Sequence, residues 1–168
     1  TVYEEFGRVD VLVNNAGLSP LYPSLAEVGE DLFDKVIAVN LRGPFRLTAL
    51  IGERMAAGEG GAVINIGSIE AIRPQTHALP YAAAKAGLHV LTEGFAQAYG
   101  PTVRVNTIQA GAFLTDISDN WPDGLREQME AKVALGRCAE PAEVVGAALF
   151  FATGASSYAT GALLRLDG

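Results

Sequence analysis

Short apolar runs alternate along this chain with longer amphipathic stretches, and no other feature of the sequence restricts the fold as strongly. The apolar runs occupy residues 9–13, 62–66, 103–108 and 161–166, and each is short enough to be a strand. Strongly apolar strands separated by helices are typical of a parallel sheet whose faces are covered by those helices. We therefore predict an α/β fold, a doubly wound parallel sheet of about four strands joined by right-handed helical crossovers.

The stretches between those runs carry helix signals at their ends. Residues 24–57 begin at a serine N-cap with a glutamate three positions on, and Pro44 should kink or divide this long helix. A second long helix over residues 81–99 is stopped by a Gly-Pro pair. Further helical segments are predicted at residues 1–7, near 125–133 and from Pro141 to 151.

The composition excludes several classes of protein. The 168 residues are 49% hydrophobic and only 18% charged, which fits one folded domain and excludes intrinsic disorder. The net charge of −7 argues against nucleic-acid binding, which needs a basic surface. Cys138 is the single cysteine, so a disulfide-stapled secreted scaffold is excluded and a cytoplasmic setting is predicted. No apolar run approaches the ~18 residues of a membrane span, so we expect no membrane association.

Parallel sheets bind their ligands just beyond the C-terminal ends of the strands. In this chain those positions are residues 14–17, Ser68 and residues 109–115. The hydroxyl of Ser68 is therefore expected at the edge of the sheet, where it can hydrogen-bond a substrate carbonyl oxygen. The alternative is a serine that only forms the turn after Gly67.

Tyr81 and Lys85 lie four residues apart at the start of a helix, so both project from one face. A nearby ammonium and the positive end of a helix favour the phenolate, and together they can bring a tyrosine into the range of general acid–base catalysis. Helices also produce such pairs by chance, so a surface Tyr–Lys pair without function is the alternative. The position of Ser68 shortly before Tyr81 favours the catalytic interpretation.

Asn40 stands inside the long predicted helix, where asparagine is a poor helix former because its amide competes for backbone hydrogen bonds. Its side chain either holds an ordered water, bends the helix, or is a tolerated polar group near a buried surface. His89, one turn beyond Lys85, is interpreted as a packed or interface side chain. The sequence shows no metal-ligand spacing.

Taken together, four motifs resemble those of the short-chain dehydrogenase/reductase family, of its compact single-domain type. They are NNAG at 14–17, Asn40 in VNL at 39–41, Ser68 in IGS at 66–68 and YAAAK at 81–85. Their order and spacing match the family from roughly the first residue to the last. The resemblance implies a Rossmann-like fold and an NAD(P)-dependent oxidoreductase that transfers a hydride between nicotinamide and an alcohol or ketone.

The resemblance also implies roles for individual residues. Tyr81 is the expected acid in reduction and base in oxidation, Lys85 binds the nicotinamide ribose, and Ser68 binds the substrate oxygen. Asn40 is expected to hold a water that links Lys85 to solvent. The residues expected to contact NAD or NADP are Asn14, Ala16, Gly17, Tyr81, Lys85, Gly111 and Thr115.

The substrate pocket is expected at the same edge of the sheet. In the family the segment corresponding to residues 112–136 covers the substrate, which implies contacts from Phe113 and Trp121. Leu18 and Glu70 complete a lining that mixes apolar and acidic groups. We therefore expect an uncharged alcohol or ketone of moderate size.

Two departures from the family pattern affect the prediction. Ala110 stands where the family has proline before Gly111, which loosens that turn. A Gly-rich turn after a first strand, which binds the pyrophosphate of a dinucleotide, has no counterpart in these residues. We therefore expect residues 1–168 to be a partial Rossmann-fold domain, the C-terminal two thirds of an enzyme, preceded by roughly 60–80 residues.

Without such an upstream part, the strand at 9–13 would be an exposed edge prone to aggregation or covered by oligomerisation. The family separately implies a dimer or tetramer that associates through the helix at 81–99 and its neighbour. The non-enzymatic alternative is a truncated fragment or structural subunit that keeps the catalytic residues but binds no dinucleotide. A sugar epimerase or dehydratase is disfavoured, because those enzymes carry a sizeable C-terminal substrate domain after the final strand.

Overall fold

The four predicted strands form one parallel sheet in the computed structural model, which describes residues 1–116 and 118–168. They are β1 (Val11–Asn14), β2 (Gly61–Ser68), β3 (Val103–Ala110) and β4 (Leu163–Leu166), and they lie side by side in chain order. Each neighbouring pair is parallel. The predicted α/β fold is confirmed, and no strand boundary differs from the predicted one by more than two residues.

Helices cover both faces of this sheet. Within the described residues the α-helices are α1 (Val2–Phe6), α2 (Glu30–Ile37), α3 (Gly43–Ala57), α4 (Leu79–Tyr99), α5 (Leu125–Glu130) and α6 (Val145–Ala152). Short 3₁₀ turns lie at Leu25–Glu27, Ile69–Ala71, Ser118–Asn120, Pro141–Val144 and Gly154–Ser156. α3 and α4 pack on one face and α6 packs on the other.

The long helix predicted over residues 24–57 is divided. A 3₁₀ turn at Leu25–Glu27 precedes α2, which begins only after Gly29, so the predicted helix start at the serine N-cap is wrong. Glycine is a poor helix former, and the helix begins beyond it. α2 then passes into a π-helical turn at Ala38–Arg42, and α3 follows with Pro44 in its first turn. Proline lacks an N–H group and fits the first turn of a new helix, so the predicted division is confirmed.

Two apolar clusters hold the helices against the sheet. The cluster between the sheet and α3 and α4 consists of the buried residues Met55, Val63, Ala96, Val103 and Val105. On the opposite face, Phe151 of α6 packs against Ile64 and Ile108. Full burial of a side chain of this size contributes about 1.5–3 kcal/mol. The sheet is therefore fixed from both sides, and the C-terminal ends of its strands form a defined edge.

A chain of hydrogen bonds between buried polar side chains crosses the face covered by α3 and α4. Asn14 on β1 donates through Nδ2 to Asn65 Oδ1 on β2 at 2.8 Å and to Thr48 Oγ1 on α3 at 3.0 Å. Asn65 donates to Thr92 Oγ1 on α4 at 2.9 Å, and the hydroxyl oxygens of Thr92 and Thr107 are 2.7 Å apart. Because Asn14, Asn65 and Thr107 are register partners on adjacent strands, these bonds fix the pairing of β1, β2 and β3.

Replacing Thr92 with valine keeps the shape of the side chain but removes the hydroxyl that accepts from Asn65 and bonds Thr107. We expect the free energy of unfolding to fall by about 1–3 kcal/mol, because buried polar groups lose their partner. Urea unfolding followed by circular dichroism measures this change. Thr76→Val, at an exposed position, is the matched control. An unchanged unfolding midpoint in Thr92→Val would contradict the role given to these hydrogen bonds.

Candidate active site

The C-terminal ends of β1, β2 and β3 meet at one edge of the sheet, and the predicted site residues lie around that edge. Residues 14–17 leave β1, Ser68 ends β2, and Gly111 follows β3. A loop from β2 leads to α4, whose first turn holds Tyr81. The structure therefore brings together the segments that the sequence predicted to bind ligands.

Ser68 takes part in two interactions at this edge. It is buried, and its Oγ accepts a hydrogen bond from the backbone N–H of Glu70 at 3.1 Å, as expected for a turn-forming serine. Its side chain also acts on the phenol of Tyr81 and lowers the pKa of that phenol, which partly offsets the effect of burial. Turn formation and contact with Tyr81 are therefore compatible at this residue.

Lys85 is 3% exposed and directs its ammonium group at the backbone of β2. Its Nζ donates to the carbonyl oxygen of Ile66 at 2.7 Å and lies 5.6 Å from the centroid of the Tyr81 ring. Burial lowers the pKa of Lys85 to about 8, so the ammonium is the main form near neutral pH. Tyr81 and Lys85 are neighbours on one helix face, as the spacing predicts.

The pKa of Tyr81 is raised above its ordinary value. Burial is the largest cause, the side chain of Ser68 acts against it, and the negative charge of Glu70 raises the pKa further. The expectation that Lys85 makes this phenol acidic is therefore wrong in this structure, because desolvation outweighs charge stabilisation. Tyr81 is a neutral, protonated phenol near neutral pH.

Asn40 is fully buried inside the π-helical turn. Its Oδ1 accepts from the N–H of Leu18 at 3.2 Å, and its Nδ2 donates to the carbonyl oxygens of Leu18 at 2.8 Å and Val36 at 3.0 Å. The side chain thus ties the loop after β1 to the point where the helix widens, which fits the bent-helix alternative. A Cβ atom at Gly17 would lie 3.0 Å from Asn40 Oδ1 and 3.6 Å from Lys85 Nζ. The water relay from Asn40 to Lys85 stays a prediction.

The loop that leaves β1 has a buried and an exposed part. Asn14 is buried, its Nδ2 belongs to the hydrogen-bond chain, and its Oδ1 has no partner among the described residues. Ala16 and Gly17 are exposed at the edge of the sheet. The Nδ2 group of Asn14 is therefore used by the fold, whereas its Oδ1 and the exposed positions of this loop remain for a ligand.

The segment after β3 approaches the edge through close backbone packing. A Cβ atom at Gly111 would lie 2.7 Å from the Cα of Asp167, so only glycine fits there. Of the other residues expected in this segment, Phe113 and Trp121 are half-buried and Thr115 is exposed. Residues 112–136, which we expect to cover the substrate, include Ile117, and this residue lies outside the described ones. The contact of the segment with substrate stays a prediction.

Besides Asn14 Oδ1, three buried polar atoms near the edge have no hydrogen-bond partner in the part of the chain that the structure describes: Glu70 Oε2, His89 Nε2 and Gln109 Nε2. His89 is packed as predicted, and a Cβ atom at Gly67 would lie 2.8 Å from its Nε2. Burial lowers the pKa of His89, and the charge of Lys85 adds to that effect. Gln109 stands within β3, at the start of the segment over residues 109–115 that the sequence predicted to bind ligands.

Tyr22 is a residue of this region that sequence reasoning missed. Its hydroxyl donates to the carbonyl oxygen of Thr76 and accepts from the N–H of Leu79, both at 2.9 Å. It thereby fixes the start of α4, two residues before Tyr81. A single tyrosine in a proline-containing loop gives no signal that could have revealed this contact.

Within residues 1–116 and 118–168, no group of three or more His, Cys, Asp or Glu side chains could hold a metal ion. No helix in the same residues is long and apolar enough to cross a membrane. Cys138 is buried with a free thiol.

Comparison with known proteins gives matches along the whole chain. The family model described as enoyl-(acyl carrier protein) reductase matches residues 1–168. A 3-oxoacyl-(acyl carrier protein) reductase of Thermotoga maritima is 36% identical over 168 residues, which are 99% of this chain and 68% of that protein. An L-rhamnose 1-dehydrogenase (NAD(P)⁺) of Azotobacter vinelandii is 40% identical over 172 residues, covering 98% of this chain and 66% of that one.

Comparison with solved structures also gives a dehydrogenase. A gluconate 5-dehydrogenase from Burkholderia cenocepacia, in complex with NADP and tartrate, superposes with a TM-score of 0.94 at 28% identity. The match covers 99% of this chain and 66% of that structure. The chain thus spans about two thirds of the length of the proteins it matches.

Replacing Asn40 with alanine removes the hydrogen bonds to Leu18 and Val36. We expect the Leu18 amide to exchange with deuterium about 5- to 150-fold faster, because a buried hydrogen bond is worth ~1–3 kcal/mol when its partner is left unsatisfied. Hydrogen-exchange mass spectrometry on peptides that span residues 14–20 measures this. The control is Asn15→Ala, at an exposed neighbouring position. Equal protection of the Leu18 amide in Asn40→Ala and in the unmodified protein would show that Asn40 does not hold the loop after β1.

Proposed function

Because this chain belongs to the short-chain dehydrogenase/reductase family, we propose that it carries the catalytic residues of an NAD(P)-dependent oxidoreductase acting on an alcohol or ketone. The observation that carries the proposal is the convergence of Ser68, Tyr81 and Lys85 at one edge of the sheet. A silent fragment or structural subunit is not favoured, since the matched relatives are named as enzymes.

The residues at this edge fit the nicotinamide half of a dinucleotide. Gly17 leaves open the space beside Asn40 and Lys85 that a Cβ atom would fill, and Gly111 brings the backbone after β3 close to β4. Lys85 presents a buried ammonium suited to ribose hydroxyls. We propose that residues 14–17, Lys85, Gly111 and Thr115 hold the cofactor, with Tyr81 beside it. When bound, NAD(P) supplies or accepts the hydride.

The proton of the reaction is assigned to Tyr81. In reduction, the protonated phenol gives its proton to the substrate oxygen while Ser68 holds that oxygen by a hydrogen bond. The raised pKa of Tyr81 suits this direction, because burial keeps the phenol protonated near neutral pH. In oxidation the same group must release its proton first, and the raised pKa of Tyr81 opposes that release. Asn40 is proposed to support the path by which the proton returns to solvent.

The substrate class is proposed from the lining of the edge. Leu18 and Phe113 are half-buried apolar groups, and Glu70 is a half-buried acid. This mixture favours an uncharged alcohol or ketone. The names of the relatives include both a sugar dehydrogenase and an acyl carrier protein reductase, so they leave substrate identity open.

An apolar groove between α2, α3 and α4 is proposed as the contact between copies of this chain. The groove has a volume of about 480 Å³ and is lined by Ile37, Leu41, Arg42, Phe45, Gly87, Val90 and Leu91. Val90 is 71% exposed, and large exposed apolar patches are typical of interfaces. We therefore propose a homo-oligomer through α3 and α4, and a cytoplasmic location in line with the single free thiol.

Replacing Tyr81 with phenylalanine should reduce kcat by about 100-fold or more, because the proton donor is lost. Binding of NAD(P)H should persist, since the ring and Lys85 remain. Steady-state kinetics and cofactor fluorescence on the whole protein separate the two effects. Tyr158→Phe, at a fully exposed tyrosine, is the matched control. Turnover in Tyr81→Phe close to that of the control would overturn the proposed role.

Replacing Val90 with lysine should shift the protein to a smaller assembly, because a charge would be buried at the groove between α3 and α4. Light scattering coupled to size-exclusion chromatography measures the mass. Val145→Lys, on the exposed side of α6, makes the same change away from the groove. An unchanged mass for Val90→Lys would rule out this face as the interface.

A further inference from the structure

A carboxyl group lies beside the two hydroxyls that we propose bind the reacting oxygen. Glu70 is half-buried two residues after Ser68, and Ser68 Oγ accepts from its backbone N–H at 3.1 Å. Its negative charge acts on the phenol of Tyr81, so the carboxyl group also lies within electrostatic reach of the hydroxyl that transfers the proton. Glu70 therefore lies at the same edge of the sheet as these two hydroxyls.

The surroundings of Glu70 leave part of this group unsatisfied. Its Oε2 is buried and has no hydrogen-bond partner among the described residues. No ion pair joins Glu70 to a cation there either, and the nearby Arg73 pairs with Asp167 at 3.7 Å instead. Burial raises the pKa of Glu70 to about 7, and the backbone N–H of Gln75 only partly offsets this. A buried acceptor without a donor is costly for folding alone, so the fold does not explain this side chain.

We propose that Glu70 binds a second hydroxyl of the substrate, on the carbon next to the one that exchanges the hydride. The inference rests on the proposed function and names its substrate class: vicinal diols and the corresponding hydroxy ketones. A substrate hydroxyl supplies the donor that Oε2 lacks, whereas a substrate with hydrogen there leaves the oxygen unpaired. A carboxylate placed near the same position is repelled by the charge of Glu70.

The test compares substrates that differ by one group. Values of kcat/KM for butane-2,3-diol, butan-2-ol and 3-hydroxybutanoate are measured with NAD and NADP on the whole protein. The variants are Glu70→Ala, which removes both the hydrogen bond and the charge, and Glu70→Gln, which removes the charge and keeps hydrogen-bonding atoms. Glu30→Gln, at an exposed position of α2, is the matched charge control.

The expected result is a change in selectivity. The unmodified protein and Glu30→Gln should prefer the diol to butan-2-ol, and Glu70→Ala should reduce that preference about 10-fold or more. Glu70→Gln should retain part of the diol preference and raise activity with 3-hydroxybutanoate several-fold relative to butan-2-ol. A merely structural role would lower activity with each substrate alike. A diol preference that stays within twofold of the unmodified protein in both Glu70 variants would overturn the proposal.

A measurement of substrate binding distinguishes a failure of this inference from a failure of the proposed function. If the unmodified protein transfers hydride to or from none of these compounds, the proposed function fails for them, and saturation-transfer NMR then compares diol and butan-2-ol binding. Stronger diol binding that is lost in Glu70→Ala supports the role of Glu70, and equal binding overturns it. If Glu70→Ala does not fold, the test uses Glu70→Gln and its kcat/KM for 3-hydroxybutanoate relative to butan-2-ol. If this ratio does not rise above that of the unmodified protein, the proposal is contradicted.

Discussion

Hydrogen bonds between buried asparagine and threonine side chains fix three strands against two helices, and the candidate site depends on that arrangement. Apolar contacts alone define a strand register weakly, because similar side chains can exchange places along the strand. The bonds joining Asn14, Asn65 and Thr107 are satisfied in one register only. Through Thr92 the same bonds hold α4, which carries Tyr81 and brings it to the edge where β2 ends.

Desolvation dominates the electrostatics of that edge. It raises the pKa of Tyr81, lowers the pKa of Lys85 and raises the pKa of Glu70, so each of the three groups is shifted toward its neutral form. A neutral phenol is ready to give a proton, and the ammonium of Lys85 is positioned by the Ile66 carbonyl oxygen. Hydrogen bonds and single charges therefore have stronger effects on these buried groups than they would at the exposed surface.

The sequence predicted the strands, the division of the long helix and the neighbourhood of Tyr81 and Lys85, because those features follow from local periodicity and from residues four apart on a helix. It missed the start of α2 at Glu30, since a serine N-cap pattern also fits a 3₁₀ turn. It gave the wrong direction for the pKa of Tyr81, because burial results from tertiary packing that a local pattern does not contain. For the same reason the unsatisfied Oε2 of Glu70 is visible only in the folded chain.

The π-helical turn at Ala38–Arg42 fixes the number of residues that the chain can have at this point. A π turn holds one residue more than an α turn, so it rotates everything downstream by about 100° relative to an uninterrupted helix. Deleting one residue would restore ordinary spacing but swing Thr48 away from Asn14 and Asn40 away from Leu18. We therefore expect evolution to vary the side chains of this turn other than Asn40 more freely than its residue count.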